Sequence, residues 1–441
     1  MKLIISNPGR IREERSLAAE KKGSRPGPVL SLPEAPDKTD QSMLGFGAAL
    51  TEAACIMLRR MDKDAREALL QEIYAPGEGN FSVGRICVGA SDYAERPYDF
   101  APVPDDMEMR HFDASHDDEH ILPVLRSARK YNPDLFLYAS PWSPPGWMKT
   151  SGQAQGGWMR MKYINAYALY YLKFLQYYEK AGVRVNGLTP QNETETDQVS
   201  RMPACLWHPE FETAFALEMR RLLDENGFTD VKIWLLDHNF IMWRRPCFQM
   251  DDPAVKAACA GVAWHPYEGR PEMVSWFRSR HGECENHWTE GGVVPIDLNA
   301  IRKQYSMGDL AAGFIRVINA GCQSVTVWNL ALDGEGYPNI GPFNCRGTVE
   351  ISRDGKTVKR SDEFYVLQHF SRYIRRGALR IVLDELALPG NFEAAAFKNP
   401  DGSRVLLISN TETYDSDLLI RDGGRDIPVH VLRESVNTVL L

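Results

Sequence analysis

The sequence predicts a (β/α)8 barrel of the TIM type with a small β module beside it. Short apolar runs alternate with helix-period segments from Gly45 onward, the pattern of βα units wound around a parallel sheet. Eight such runs fall within roughly 330 residues, against the ~250 or more that this barrel takes with insertions. Beyond residue 376 the texture changes to β-alternation punctuated by turn signals. A doubly wound sheet is the competing arrangement, but no glycine-rich phosphate loop follows the first strand.

The eight runs are 45–50, 83–88, 135–140, 185–190, 231–237, 260–266, 284–290 and 324–331. Helical segments lie between most of them. Residues 53–74 contain DAREALLQEIY, residues 165–181 end before Gly182, and 209–226 end before Gly227, each glycine a helix stop. A last helix is expected near 362–375. In 377–441, Asn399-Pro400-Asp401-Gly402 and Asp422-Gly423-Gly424 mark hairpin turns. At the other end, Leu3–Ser6 and Val29–Leu32 read as strands among charged and proline-rich stretches, and they are expected to join the C-terminal β module. The division expected is therefore 44–376 for the barrel, and 1–43 plus 377–441 for the side domain.

Composition narrows the function. The chain has 441 residues, 44% of them hydrophobic and 25% charged, with a net charge of −8. Acids and bases are interleaved with no basic stripe, which argues against nucleic acid. No apolar run reaches the ~18 residues of a membrane span. The first residues, MKLIISNPGR, lack the apolar core of a secretory signal, so a cytoplasmic location is expected. Eight scattered cysteines without a CxxC pair read as reduced core residues and not as a zinc site.

Two glutamates carry the chemistry. Glu193 closes NGLTPQNE after the fourth run, and Glu290 closes HWTE after the seventh, followed at once by two glycines. Barrel enzymes gather their reacting groups at the C-terminal ends of the strands. Two carboxylates facing one ligand are the equipment for cleaving a glycosidic bond; two unrelated surface acids are the plain alternative. Trp142 and Trp328, at strand ends, read as a platform for the C–H face of a sugar. Trp147 and Trp264 serve equally well as platform or core. Asn192 is placed to meet a substrate hydroxyl, Tyr267 and His265 to orient a carboxylate. Arg85, a charge inside an apolar run, needs a buried partner such as Glu290. His111, His116 and His120 lie among acids, but their spacing fits no standard metal site, and Asp113 with Ser115 reads as a helix start. Glu195, Asp333 and Glu335 are loop acids with at most a rim role.

These stretches resemble glycoside hydrolase family 30 of clan A, the group that includes glucosylceramidase. The resemblance runs through GFGAALTEAA (45–54), GRICVGASDYA (84–94), SPWSPPGWMKTSG (140–152), LTPQNE (188–193), AWHPY (263–267), HWTEGG (287–292), WNLALDGEGYPN (328–339), NCRG (344–347) and EFYVLQHFSRYIRRGALRI (363–381). It implies a β-sandwich built from both chain ends, and a retaining mechanism without metal or cofactor. It puts Glu193 on the acid/base and Glu290 on the nucleophile. Glu52 falls where the family has an aspartate that holds sugar hydroxyls, and Arg85, Trp142, Asn192, His265, Tyr267 and Trp328 fall on subsite positions. Thr194 departs from a common proline, and Glu52 from the usual aspartate.

The expectation is a carbohydrate-directed enzyme that releases a terminal β-linked sugar, glucose first, xylose or fucose next. An endo-acting β-1,6-glucanase or xylanase and a non-catalytic carbohydrate-binding protein are the alternatives. Retention requires a carboxyl separation of about 5–5.5 Å and a Glu193 proton held by a raised pKa, with the neighbouring carboxylate supplying part of that rise.

Overall fold

A computed structural model of the chain describes residues 1–23, 28–33, 38–198, 202–292, 305–383 and 390–441. Among the described residues, eight parallel strands close into a barrel in chain order. They are Gly45–Ala49, Val83–Cys87, Phe136–Ser140, Gly187–Leu188, Lys232–Asn239, Gly261–His265, Glu285–Trp288 and Ser324–Val327. All eight fall on the runs expected from the sequence. Both faces of such strands are covered, so they read as continuous apolar stretches and not as alternation. Helices follow each strand. The first, Glu52–Arg60, is capped by the Thr51 side chain, which accepts from the Ala54 amide at 3.1 Å. The seventh strand is followed by Met307–Ala320, opened by a reciprocal Ser306–Asp309 capping box and closed at Gly321.

The side domain is two sheets face to face. A seven-stranded sheet runs, in spatial order, Arg10–Ser16, Lys2–Asn7, Ser435–Leu440, Arg404–Asn410, Phe392–Lys398, Leu379–Ile381, Thr39–Ser42. A four-stranded sheet pairs Glu20–Lys21, Arg425–Val431, Ser416–Asp422 and Val29–Ser31. Strand periodicity divides the work. Ala394, Ala396, Leu406 and Ile408 point into the sandwich core with Leu3, Leu30, Ile420 and Val429. Ala395, Phe397, Val405 and Leu407 point the other way and join the barrel's core with Phe314 and Phe370. The helix Met307–Ala320 lies on this face so closely that a Cβ on Gly308 would sit 2.0 Å from the Asn410 carbonyl oxygen.

The two edge strands, Arg10–Ser16 (RIREERS) and Thr39–Ser42 (TDQS), were not foreseen. Charged and polar edges protect a sheet from further pairing and leave no apolar period to read. All eight cysteines are free and buried. Among the described residues, no helix is long and apolar enough to cross a membrane.

Candidate active site

Strand ends deliver the site. The second strand carries Arg85 in its interior, the fifth Asp237, and the sixth ends at His265; Asn192, Glu193 and Glu290 lie just beyond the fourth and seventh. The fifth strand departs from regular pairing between Leu236 and His238, where Asp237 is the extra residue. Leu236 and Asp237 both take positive φ, 74° and 48°. A bulge of this kind re-aims a side chain next to a site. Glu193 is also left-handed, at φ 53°. Its amide donates to the Asp237 carbonyl at 2.9 Å, which fixes the unusual backbone against the bulge. The two glycines after Glu290 take φ of 155° and 137°, and Gly291 is also required by space. A Cβ on Gly291 would lie 2.3 Å from Trp288 Nε1, and one on Gly292 2.7 Å from Glu363 Oε1.

Arg85 is wholly buried and binds four groups at once. Its Nη1 donates to Glu290 Oε2, its Nη2 to Asn192 Oδ1 at 2.8 Å and to Asp237 Oδ2 at 2.7 Å, and its Nε to Ser140 Oγ at 3.1 Å. Asp237 Oδ2 also accepts from the Ser140 and Thr189 hydroxyls, each at 2.7 Å. Its Oδ1 accepts from Thr289 Oγ1 at 2.6 Å and meets His265 Nε2 at 3.0 Å. Tyr267 OH donates to Glu290 Oε1 at 2.8 Å, so both Glu290 oxygens are held. On the other glutamate, Gln198 Nε2 donates to Glu193 Oε2 at 2.6 Å, and His265 Nδ1 stands 3.5 Å from Oε1. One oxygen of each glutamate and a His265 nitrogen lie within 4.8 Å of one another.

The charges divide unevenly. Burial alone would raise Asp237, but Arg85 and His265 hold its carboxyl far below the usual range. Burial would lower His265, yet Glu290, Asp237 and Glu193 outweigh it and push the ring up to about 9. Glu193 is pulled down: burial raises it, and the His265 contact with the histidine charges around it more than offsets that. The raised Glu193 expected from the sequence is therefore not found, and the shift runs downward. Carboxylate proximity is present, but an imidazolium stands closer in effect.

Trp142 and Trp328 come together but are buried, not an open platform: their rings stack at 4.9 Å with the Arg85 guanidinium 4.7 Å above Trp142 and 5.5 Å from Trp328. Tyr93 meets Trp328 edge-on at 5.8 Å. Trp264 is fully buried in the core, its Nε1 on Asn286 Oδ1, and Trp147 packs on Tyr163. Arg85, Asn192, Asp237, Glu193, His265, Tyr267 and Glu290 thus form one connected cluster, with Arg85 lying over the two rings.

Glu52 is not part of it. Its Oε1 meets His116 Nε2 at 2.7 Å and its Oε2 accepts from the Glu95 amide at 3.1 Å, so it fastens the 91–95 loop. What that loop brings to the site is Asp92. It is buried, and among the described residues its Oδ1 has no hydrogen-bond partner. Burial raises its pKa well above the ordinary value, with Glu290 and Glu193 adding to the effect. The three histidines of the acidic stretch disperse: His111 pairs with Asp106, His116 with Glu52, His120 with Glu119. Ser115–Asp118 forms a short 3-10 turn before the helix Ile121–Tyr131. Glu195 accepts from Arg245, and Asp333 and Glu335 both bind Arg353, which makes them rim and turn residues. Asp237 and Asp92 were missed. Asp237 does end an apolar run, the same signal that marks Glu290.

Paired glutamates across the mouth of a closed parallel barrel belong to the barrel glycoside hydrolases. The chain belongs to glycosyl hydrolase family 30: that family's TIM-barrel domain model matches residues 43–374, and its beta sandwich domain model matches 377–439. The lysosomal acid glucosylceramidase of Mus musculus is 26% identical over 421 residues, 90% of this chain and 81% of that protein. The crystal structure of SrfJ from Salmonella typhimurium superposes with a TM-score of 0.94 at 26% identity, covering 100% of this chain and 99% of that one. The endo-beta1,6-glucanase BT3312 superposes at 0.89 and 26% identity, covering 99% and 98%.

Proposed function

We propose that the chain is a retaining β-glycosidase that releases a terminal β-linked sugar, glucose first, by double displacement. Glu290 attacks the anomeric carbon while Glu193 protonates the leaving oxygen; Glu193 then takes a proton from water as the sugar is released. The observation that carries this is that one oxygen of Glu193 and one of Glu290 lie within 4.8 Å of each other, the close approach that a retaining pair needs. The division of roles follows from their neighbours. Arg85 and Tyr267 donate to the two oxygens of Glu290 and so orient it for attack. His265 Nδ1 stands 3.5 Å from Glu193 Oε1, and a developing negative charge on the leaving oxygen would draw a proton from His265 through Glu193. Asp92, with a buried and unpaired oxygen, is proposed to hold sugar hydroxyls in the role that the sequence suggested for Glu52. The names of similar proteins, a glucosylceramidase and a β-1,6-glucanase, support a β-glucoside.

Hydrolysis of a panel of aryl β-D-glycosides tests this, with Glu290→Gln as control. Release of one sugar, lost in the variant, supports the proposal. Release that survives in Glu290→Gln overturns the assignment of the nucleophile.

A further inference from the structure

Two irregular stretches meet beside Glu193. One, 149–159, follows the third barrel strand; the other, 202–208, leads into the helix Pro209–Glu225. They form a ribbon: Gln155 bridges Pro203 and Trp158 bridges Leu206. The Leu206 amide donates to Gly157 O at 2.9 Å and the Met159 amide to Leu206 O at 3.0 Å. The ribbon is tied to the site at two points. The Trp207 amide donates to Thr194 O, next to Glu193, at 2.9 Å, and Met202 packs in the apolar cluster of Trp142 and Trp328. Lys149 stiffens it from beneath. This lysine is buried, and its Nζ donates to Ser143 Oγ, Ala154 O and Ala204 O at 2.8, 2.6 and 2.7 Å.

On this ribbon Trp158 remains 40% exposed. Its amide donates to Thr150 Oγ1 at 2.8 Å, its carbonyl accepts from the Thr150 amide at 2.9 Å, and its ring stacks on His208 at 4.3 Å. A large ring kept in water at one orientation is pre-organised to bind, and the apolar face of a sugar suits an indole. Next to Glu193, the fifth strand ends in His238 and Asn239, 5% and 8% exposed. Among the described residues, His238 Nδ1 and Asn239 Oδ1 have no partner. Buried polar atoms left unpaired are costly, and sugar hydroxyls would satisfy them.

We propose that this side of the mouth binds a leaving group that is itself a carbohydrate chain. His238 and Asn239 take hydroxyls of its first sugar, and Trp158 stacks a later one. The proposal rests on Glu193 being the proton donor, since the protonated group departs on that side.

The test compares kcat/KM of the full chain on an aryl β-glycoside with that on β-1,3-, β-1,4- and β-1,6-gluco-oligosaccharides and β-1,4-xylo-oligosaccharides of increasing length. Wild type is expected to favour the longer members of one series. Trp158→Ala is expected to lower the oligosaccharide-to-aryl ratio by about five- to tenfold, the scale of one aromatic stack, and Trp158→Phe to restore most of it. The ratio cancels any loss of folded enzyme. An unchanged ratio overturns the proposal. Wild type that cleaves the aryl glycoside without favouring any longer chain overturns it too, and leaves the glycosidase reading standing. Wild type inactive on every substrate overturns both.

Discussion

Asp237→Asn is the substitution that stresses this site most informatively. The aspartate accepts from Arg85, Ser140 and Thr189 on one oxygen, and from Thr289 on the other, where His265 also stands. Asparagine has the same shape but one acceptor oxygen. If that oxygen keeps Arg85, Ser140 and Thr189, its amide group turns toward Thr289 and His265. His265 then loses one of the carboxylates that hold it near 9, and the ring is left to burial, which lowers it. Removing one partner from a buried charge pair costs about 3–5 kcal/mol, and here Arg85 keeps Glu290, so the lower end applies. Thermal unfolding should drop by several degrees. The pH dependence gives a sharper reading. Asp237 has a depressed pKa, so its stabilisation is present above the unfolded aspartate range, near 4, and fades as pH falls below it. His265 has a raised pKa, so its stabilisation is full below about 6.5 and is lost as pH climbs through about 9. The gap in stability between wild type and Asp237→Asn should be widest around pH 5–6.5 and narrow on both sides. A gap under ~1 kcal/mol, or one that does not vary with pH, would refute the reasoning.

Two further outcomes follow from the same network. His265→Gln removes the largest influence pulling Glu193 down, and burial then raises it; the alkaline fall of kcat/KM should move from near pH 9 to lower pH by a unit or more, and an unmoved limb argues that His265 does not hold the working proton. Tyr267→Phe deletes the 2.8 Å bond to Glu290, and a hydrogen bond to a charged group is worth about 1.5–3 kcal/mol, so kcat/KM should fall by roughly 10- to 100-fold with little change in unfolding temperature.

The barrel was legible because parallel strands buried on both faces write themselves as apolar runs, and all eight runs became strands. Glu193 and Glu290 were legible because each closes such a run. Asp237 also closes one, but a strand that ends regularly would not aim it into the cluster; the bulge that does so depends on backbone left-handed at Leu236 and Asp237, and neither residue signals that. The different surroundings of Glu52 and Asp92 were hidden for a similar reason. Glu52 stands in a helix whose start is readable, whereas Asp92 lies in an irregular loop shaped by contacts such as the amide of Ile340 on its carbonyl. The direction of the Glu193 shift was not foreseen because two carboxylates were weighed without His265, whose place beside Glu193 only the folded geometry reveals. The charged edge strand Arg10–Ser16 carries no apolar period at all.

The central claim is that Glu290 and Glu193 work as a nucleophile and an acid/base at retaining distance. Proton NMR of the first sugar released from an aryl β-glycoside tests it most directly, read before mutarotation scrambles the anomers. The β anomer should form first and convert slowly to the equilibrium mixture. An α anomer formed first would mean that water attacks directly, and that the closeness of the two carboxylates has been misjudged.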